Sequence, residues 1–406
     1  MSCWGMIGTL INPLYATIIA IIILFTLLYR RVSLATSLLT ASLALAVLTL
    51  NPQQIPIAYY QTAIRPINID VILASAIIAV MANIYRESGI ITRLSNAIMT
   101  VLKKTWIAIT IIPAIFGFLP VPGGALMSAP LVSEISNKTS IHQDKAAYIN
   151  VWFRHLIAPI YPLTQIVILT SALSGFDVIQ IALYDIPLAL VMYLVGFLPI
   201  YRDLRDKSVK IASESLGSLS FIIPLIISVF IVVSGINVVI STLVGLLVLI
   251  FMVRPKASAI KKSLFSKDVG MVIVTSYAAL SVREVLVLSK FPEVFVSLFS
   301  NSSSLFLVIS IILVSAVLGF MLGIPTGALA VTVPLIASVA PDVRFVSLTL
   351  VITYLGYMVS PSHLCLVLTL KYFKTHLGNI YRYLIPSTLI TLALTMSLYL
   401  FIFLIT

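Results

Sequence analysis

Charge is what this chain of 406 residues has least of. Only 9% of its residues are charged, against about 25% in a soluble globular protein, and its mean hydropathy is +1.15. So little charge excludes a soluble domain and places the chain in a bilayer. Acidic residues are scarcer than basic ones, 13 against 25 Lys and Arg. The resulting +12 does not mark a nucleic-acid binder. The basic residues fall in short loops between apolar segments, and no RNA- or DNA-binding motif accompanies them. The two cysteines, Cys3 and Cys365, offer neither a disulfide framework nor a Cys-x-x-Cys site. His-Glu-x-x-His, Gly-x-Ser-x-Gly, a P-loop and paired carboxylates within a span are all missing. No enzyme, no nucleotide-driven pump and no cofactor is therefore expected. The first apolar segment is followed, not preceded, by Arg30-Arg31, so no cleavable signal peptide is read there.

Long apolar segments are what the chain has in abundance. A spanning helix needs about 20 mostly apolar residues. Spans are predicted near 6–28, 33–50, 70–86, 145–173, 181–200, 217–235, 237–253, 269–285, 344–370 and 383–404. Two further stretches, near 105–132 and 303–340, carry Pro and Gly clusters at their centres. One reads Pro122-Gly123-Gly124-Ala125-Leu126 with Pro130 following. The other reads Pro325-Thr326-Gly327-Ala328-Leu329 with Pro334 following. Non-helical backbone at membrane depth is tolerated only where protein buries it or a watery cavity receives it. Each stretch is too long for one crossing, so both are predicted to be re-entrant helical hairpins.

The features recur in the same order in both halves. Asp70 opens one span and Arg86-Glu87 closes it; Asp268 and Arg283-Glu284 do the same for its counterpart. A short amphipathic stretch follows each (89–104 and 288–301), then the hairpin, then a span broken by proline. Those prolines are Pro159 and Pro162 in the first half and Pro361 in the second. The predicted fold is an all-α polytopic membrane protein. It has two inverted repeats, 1–201 and 217–406, each of five spans with one hairpin and one broken helix, joined by a polar linker at 202–216. Five crossings, an odd number, invert the second repeat relative to the first. Under this plan 20 basic residues fall on one face and 4 on the other, with Arg154 left inside a span. The richer face is then cytoplasmic, which puts the linker inside and both termini outside the cell membrane.

The pattern resembles the ion transporter superfamily, which includes the citrate, gluconate, dicarboxylate and arsenite carriers. Leu119-Pro120-Val121-Pro122-Gly123-Gly124-Ala125-Leu126-Met127-Ser128-Ala129-Pro130, Trp152-Phe153-Arg154-His155 and Ser360-Pro361-Ser362-His363-Leu364-Cys365-Leu366-Val367-Leu368 resemble an uncharacterised prokaryotic membrane family within it. Neither hairpin tip carries the Ser-Asn-Thr signature of the dicarboxylate carriers, so that substrate is not transferred. The resemblance implies a homodimer whose hairpins and broken helices form a moving transport domain.

Candidate substrate- or ion-binding residues follow from these breaks. At the tips they are Pro122, Gly123, Gly124 and Ser128, with Pro325, Thr326, Gly327 and Thr332 in the second copy. Unwound backbone leaves carbonyls for a coupling Na+, while half-helix N-termini present amides to an anion. The competing reading is a tight turn between packed helices. At the broken spans the candidates are Tyr161 and Thr164, then Ser360, Ser362 and His363. Their hydroxyls either bind a ligand or satisfy freed backbone groups. Arg154 and His155 are the basic pair inside a span; an intramembrane ionisable residue is a functional hypothesis, against which stands snorkelling to the headgroups. The Arg-Glu pairs and Asp185 are expected to be interfacial. These features predict a secondary active transporter moving a small organic anion with Na+ or H+ by alternating access. A cation/proton antiporter is the alternative, disfavoured by the lack of Asp or Glu at either tip. A channel or intramembrane enzyme fits less well.

Overall fold

Among its described residues the chain is built of helices and turns, and most helix starts have a local cause. The computed structural model describes residues 11–30, 32–101, 104–118, 124–204, 216–291, 293–294, 297 and 304–405. The first half runs α1 (Pro13–Tyr29), α2 (Leu34–Thr49), α3 (Gln54–Ile64), α4 (Pro66–Glu87), α5 (Ile90–Val101), α6 (Thr105–Gly117), α7 (Ala125–Thr139), α8 (Gln143–Arg154), α9 (Gln165–Ser174), α10 (Val178–Phe197) and α11 (Tyr201–Leu204). After a 3-10 segment (Leu216–Ile222) come α12 (Ile223–Val233), α13 (Val238–Val253), α14 (Ala257–Leu264) and α15 (Lys267–Leu288). The chain closes with α16 (Ser304–Leu322), α17 (Pro325–Val339), α18 (Val343–Met358), α19 (Leu364–Tyr372) and α20 (Leu377–Ile405).

Asn12, Ser33, Asp177, Asn237, Ser266 and Asp342 each cap a helix by accepting from a backbone amide two or three residues on. Such caps satisfy donors that have no partner inside the helix. Within the helices, Thr17, Thr49, Thr62 and Thr110 turn their hydroxyls onto carbonyls four residues back. That is the expected arrangement where water does not compete.

The stretches Pro66–Glu87, Val178–Phe197, Ala257–Leu288 and Leu377–Phe401 are long and apolar enough to cross a membrane. Exposed apolar side chains such as Leu194 (68%) and Phe251 (72%) face outward, where acyl chains would cover them. The hairpin arms α6, α7 and α17 have only 13 to 15 residues, or about 20–23 Å at 1.5 Å per residue. None of them spans a hydrocarbon core of about 30 Å alone. The helices α3 and α14 lie between the spans predicted from sequence, where hydropathy alone marks no helix. The Pro122-Gly123 tip, most of the linker and half of the 288–301 stretch lie outside the described residues.

The two proline-broken spans form the centre. Residues Ala146–Arg154 of α8 and Val346–Met358 of α18 are buried on every side, which a helix meets only when protein surrounds it. In each half the first hairpin arm packs on the first arm of the broken helix, α6 on α8 and α16 on α18. The second pairing crosses between halves: α7 packs on α19, and α17 packs on α9. Glycines allow the close approach in the second half, where a Cβ on Gly319 would strike the Thr353 carbonyl and one on Gly356 would strike that of Ala316.

Around this centre, α4 and α15 pack on each other in opposite directions. Arg65, just before α4, meets Glu284 near the end of α15 at 2.9 Å, while Arg86 at the end of α4 meets Asp268 at the start of α15 at 3.3 Å. Glu284 is only 1% exposed. This revises the expectation of an interfacial Arg283-Glu284 pair: Glu284 is buried and ion-paired to Arg65, with neither oxygen hydrogen-bonded among the described residues, while Arg283 donates to the Leu173 carbonyl at the end of α9.

Candidate functional site

The two breaks are short and polar, and they lie against each other. After Arg154 the chain passes through turns from His155 to Thr164 before α9 begins; after Met358 it turns through Val359–His363 before α19. Pro159, Pro162 and Pro361 supply no backbone donor and so favour a break, although proline alone does not force one here, since Pro187 and Pro386 lie inside α10 and α20. Each break is held by side chains. The Thr164 hydroxyl donates to the Ala158 and Tyr161 carbonyls (2.8 and 3.0 Å), and the Tyr381 hydroxyl donates to the Val359 carbonyl (2.7 Å). Ser360 Oγ accepts from the Ser362 amide at 3.2 Å. Thr164 and Ser360 thus satisfy backbone freed by the breaks, while Tyr161 is buried with its ring edge-on to Phe118.

His155 and His363 join the two breaks directly. Their Nε2 atoms are 3.1 Å apart, and the rings stand nearly perpendicular with centroids 4.7 Å apart. Tyr354 donates to the His155 carbonyl at 3.0 Å, and the Tyr357 hydroxyl lies 3.4 Å from His155 Nε2. Arg154 is 6% exposed, so it does not snorkel to the surface. Its guanidinium donates to the Phe116 carbonyl at 2.8 Å, which places positive charge at the C-terminal end of α6, where a helix favours it.

The hairpins reach the same centre. Ser128 on α7 donates to Asn150 Oδ1 of α8 at 2.6 Å. The Asn150 amide donates in turn to the Ala125 carbonyl and to Thr369 Oγ1 of α19, both at 3.0 Å. Asn150 thereby ties one hairpin to both broken helices. On the other side Thr332 of α17 sits 3.5 Å from Thr353 of α18 and back-bonds to Ala328.

The tips differ from the pattern read in sequence. Pro325, Thr326 and Gly327 lie inside α17, with Pro325 in its first turn, where its missing amide costs nothing. Gly124 has helical dihedrals. The residue in the left-handed region is Gly323 (φ +62°), and a Cβ there would come within 2.6 Å of Ser362 Cβ and 2.9 Å of Ser360 Oγ. Gly323 therefore brings the α16–α17 turn onto the second break. Pro122 and Gly123 lie outside the described residues.

Sequence reasoning also missed Asn150, Tyr354, Tyr357 and Cys365. An Asn in an otherwise apolar span is a weak signal until its partners are known. Asp185 was expected to be interfacial but is fully buried. Ser347 donates to it and Tyr399 lies beside it, where α10, α18 and α20 meet, while its second oxygen has no partner among the described residues.

This architecture defines an all-helical membrane protein centred on two broken helices. The chain belongs to the family described as a protein of unknown function, DUF401, whose pattern matches residues 12–402. No curated protein matches it. Among solved structures it is similar to the Alcanivorax borkumensis YdaH transporter, with a TM-score of 0.63 and 12% identity over 96% of this chain and 98% of that one. At that identity the likeness is one of fold.

Proposed function

We propose that this protein is a secondary active transporter working by alternating access, which moves a small organic anion coupled to Na+ or H+. The observation that carries the reading is the crossed packing at the centre, where each broken helix receives its own half's hairpin on one arm and the other half's on the second. Two discontinuous helices crossing near mid-depth are how transporters expose half-helix N-termini and free carbonyls to a substrate. The antiparallel α4 and α15, with ion pairs at both ends, support two inverted repeats, and the short arms support re-entrant hairpins. The likeness to a transporter over nearly the full length points the same way. The polar side chains that meet the substrate in this reading include Ser128, Arg154, His155, Thr332, Ser362 and His363, with a coupling cation at the tips. In this reading the chain is a homodimer in the cell membrane with its linker cytoplasmic. A cysteine at Ser213, in a chain otherwise free of cysteine, then reacts only with reagents that reach the cytoplasm; labelling from outside refutes that orientation.

Purified protein screened by thermal shift against small carboxylates, with and without Na+ and at two pH values, tests the substrate class. A ligand that binds the folded state raises its stability with the logarithm of concentration. The hit, reconstituted in vesicles, should show saturable uptake and trans-stimulation. Cation-dependent flux with no carboxylate response refutes the anion reading. Asp185 favours the second reading, a cation/proton antiporter, because a buried carboxylate with a free oxygen is a proton-carrying group by type. Asp185→Asn distinguishes the two: it abolishes proton-coupled exchange in an antiporter and leaves anion binding in a carrier.

A further inference from the structure

Two of the chain's four histidines and one of its two cysteines meet where the broken helices cross. The ligand atoms of His155, His363 and Cys365 all lie within 4.8 Å of one another. The far nitrogen of each ring faces a backbone carbonyl, His155 Nδ1 at 2.6 Å from Val151 and His363 Nδ1 at 3.4 Å from Met358. A carbonyl only accepts, so these contacts favour the hydrogen on Nδ1 in both rings, which leaves the two neighbouring Nε2 atoms available as ligands. Anchoring of the outer N–H by a carbonyl is the usual support of a metal-binding histidine. The Nε2 separation of 3.1 Å is close to the roughly 3.3 Å between two nitrogens each about 2.0–2.1 Å from one tetrahedral ion. Cys365 comes into reach because His363 is extended (φ −63°, ψ 111°) and caps α19, whose first turn carries the thiol.

We propose that His155, His363 and Cys365 bind one soft transition-metal cation, Cu+ or Zn2+, and that this ion fastens the two broken helices to each other. Two imidazoles and a thiolate suit these ions and exclude Mg2+ and Ca2+, which take oxygen. Arg154 adds positive charge next to His155, and the Cys365 thiolate offsets one unit, so the balance favours Cu+ over Zn2+. The bound ion links the end of α8 to the start of α19, holding the breaks of the two halves in their present relation. The site stands whether or not the cargo is an organic anion, because its ligands need no substrate.

The test is metal binding by the full-length protein in detergent, stripped beforehand with a chelator. Zn2+ and, under anaerobic reducing conditions, Cu+ are titrated in competition with chromophoric chelators. One ion per chain is expected, with tighter retention of Cu+. His363→Gln and Cys365→Ser should each weaken binding at least tenfold, while Cys3→Ser leaves it unchanged. Wild-type protein loaded with Co2+ needs no variant and should show a thiolate-to-cobalt charge-transfer band that Cys365→Ser abolishes. Wild-type protein that binds neither ion overturns the proposal, as do equal affinities in all variants, which would place the ion elsewhere. Transport assays play no part in these measurements, so failure of the carrier reading and failure of this site are seen separately.

Discussion

Removing the Asn150 side chain should loosen the junction between hairpin and broken helices more than any other single polar change there. Asn150 is fully buried and makes three hydrogen bonds, to Ser128, the Ala125 carbonyl and Thr369. Interhelical hydrogen bonds within membranes average about 0.6 kcal/mol each, so three come to about 2 kcal/mol. Ser128 can fall back on the Ala125 carbonyl, 3.4 Å away, which trims the loss; the gap left by the amide adds to it. Asn150→Ala should therefore cost about 2 kcal/mol in reversible unfolding from detergent. Asn150→Asp should cost more, because a carboxylate keeps the acceptor for Ser128 but turns a second acceptor on the Ala125 carbonyl. A double-mutant cycle of Asn150→Ala with Thr369→Val should give a coupling of about 0.6 kcal/mol. Loss below about 0.5 kcal/mol in the Ala variant, or strict additivity with Thr369→Val, would refute the idea that Asn150 joins these elements.

Gly323→Ala should destabilise by about 1–2 kcal/mol from the left-handed backbone alone and more from the overlap with Ser362, whereas Gly378→Ala, with open space around it, should be neutral or stabilising; equal melting temperatures would put the turn elsewhere. Arg154→Lys should preserve stability to within about 1 kcal/mol, since it keeps a cation at the end of α6, but weaken binding of the screened carboxylate. Arg154→Gln should lose about 1.5–3 kcal/mol of that binding, and unchanged affinity would remove Arg154 from the anion site. Hydrogen bonding from the Arg344 guanidinium holds the Asp342 carboxyl below its usual range. A depressed value stabilises the fold above the unfolded value of about 3.9 and stops doing so as pH falls through the lower folded one. The stability gap between wild type and Asp342→Asn should accordingly be constant from pH 8 to 5 and close below about pH 4.

The sequence alone carries what depends on local chemistry. Hydropathy reports the solvent of each segment and clustered proline weakens a helix, so the helical membrane class and the two breaks are legible there, whereas Pro187 and Pro386 sit inside α10 and α20 without breaking them. Pro159, Pro162 and Pro361 mark the breaks because a missing amide donor and a steric clash act within one turn of the chain. The packing partners of those breaks are a different kind of fact. His155 meets His363 across 208 positions and Asn150 meets Thr369 across 219. No periodicity encodes such pairs, since each residue's own neighbours are ordinary helix sequence. The tips show the same limit: Gly327 stood out by its company with Pro325, yet the turn falls at Gly323, where the second break presses close enough to exclude a Cβ. Asp185 and Glu284 read as interfacial because their depth depends on which helices surround them. Burial, charge pairing and convergence of ligands belong to the packed assembly, because each is a sum over elements distant in the chain that only tertiary structure brings together.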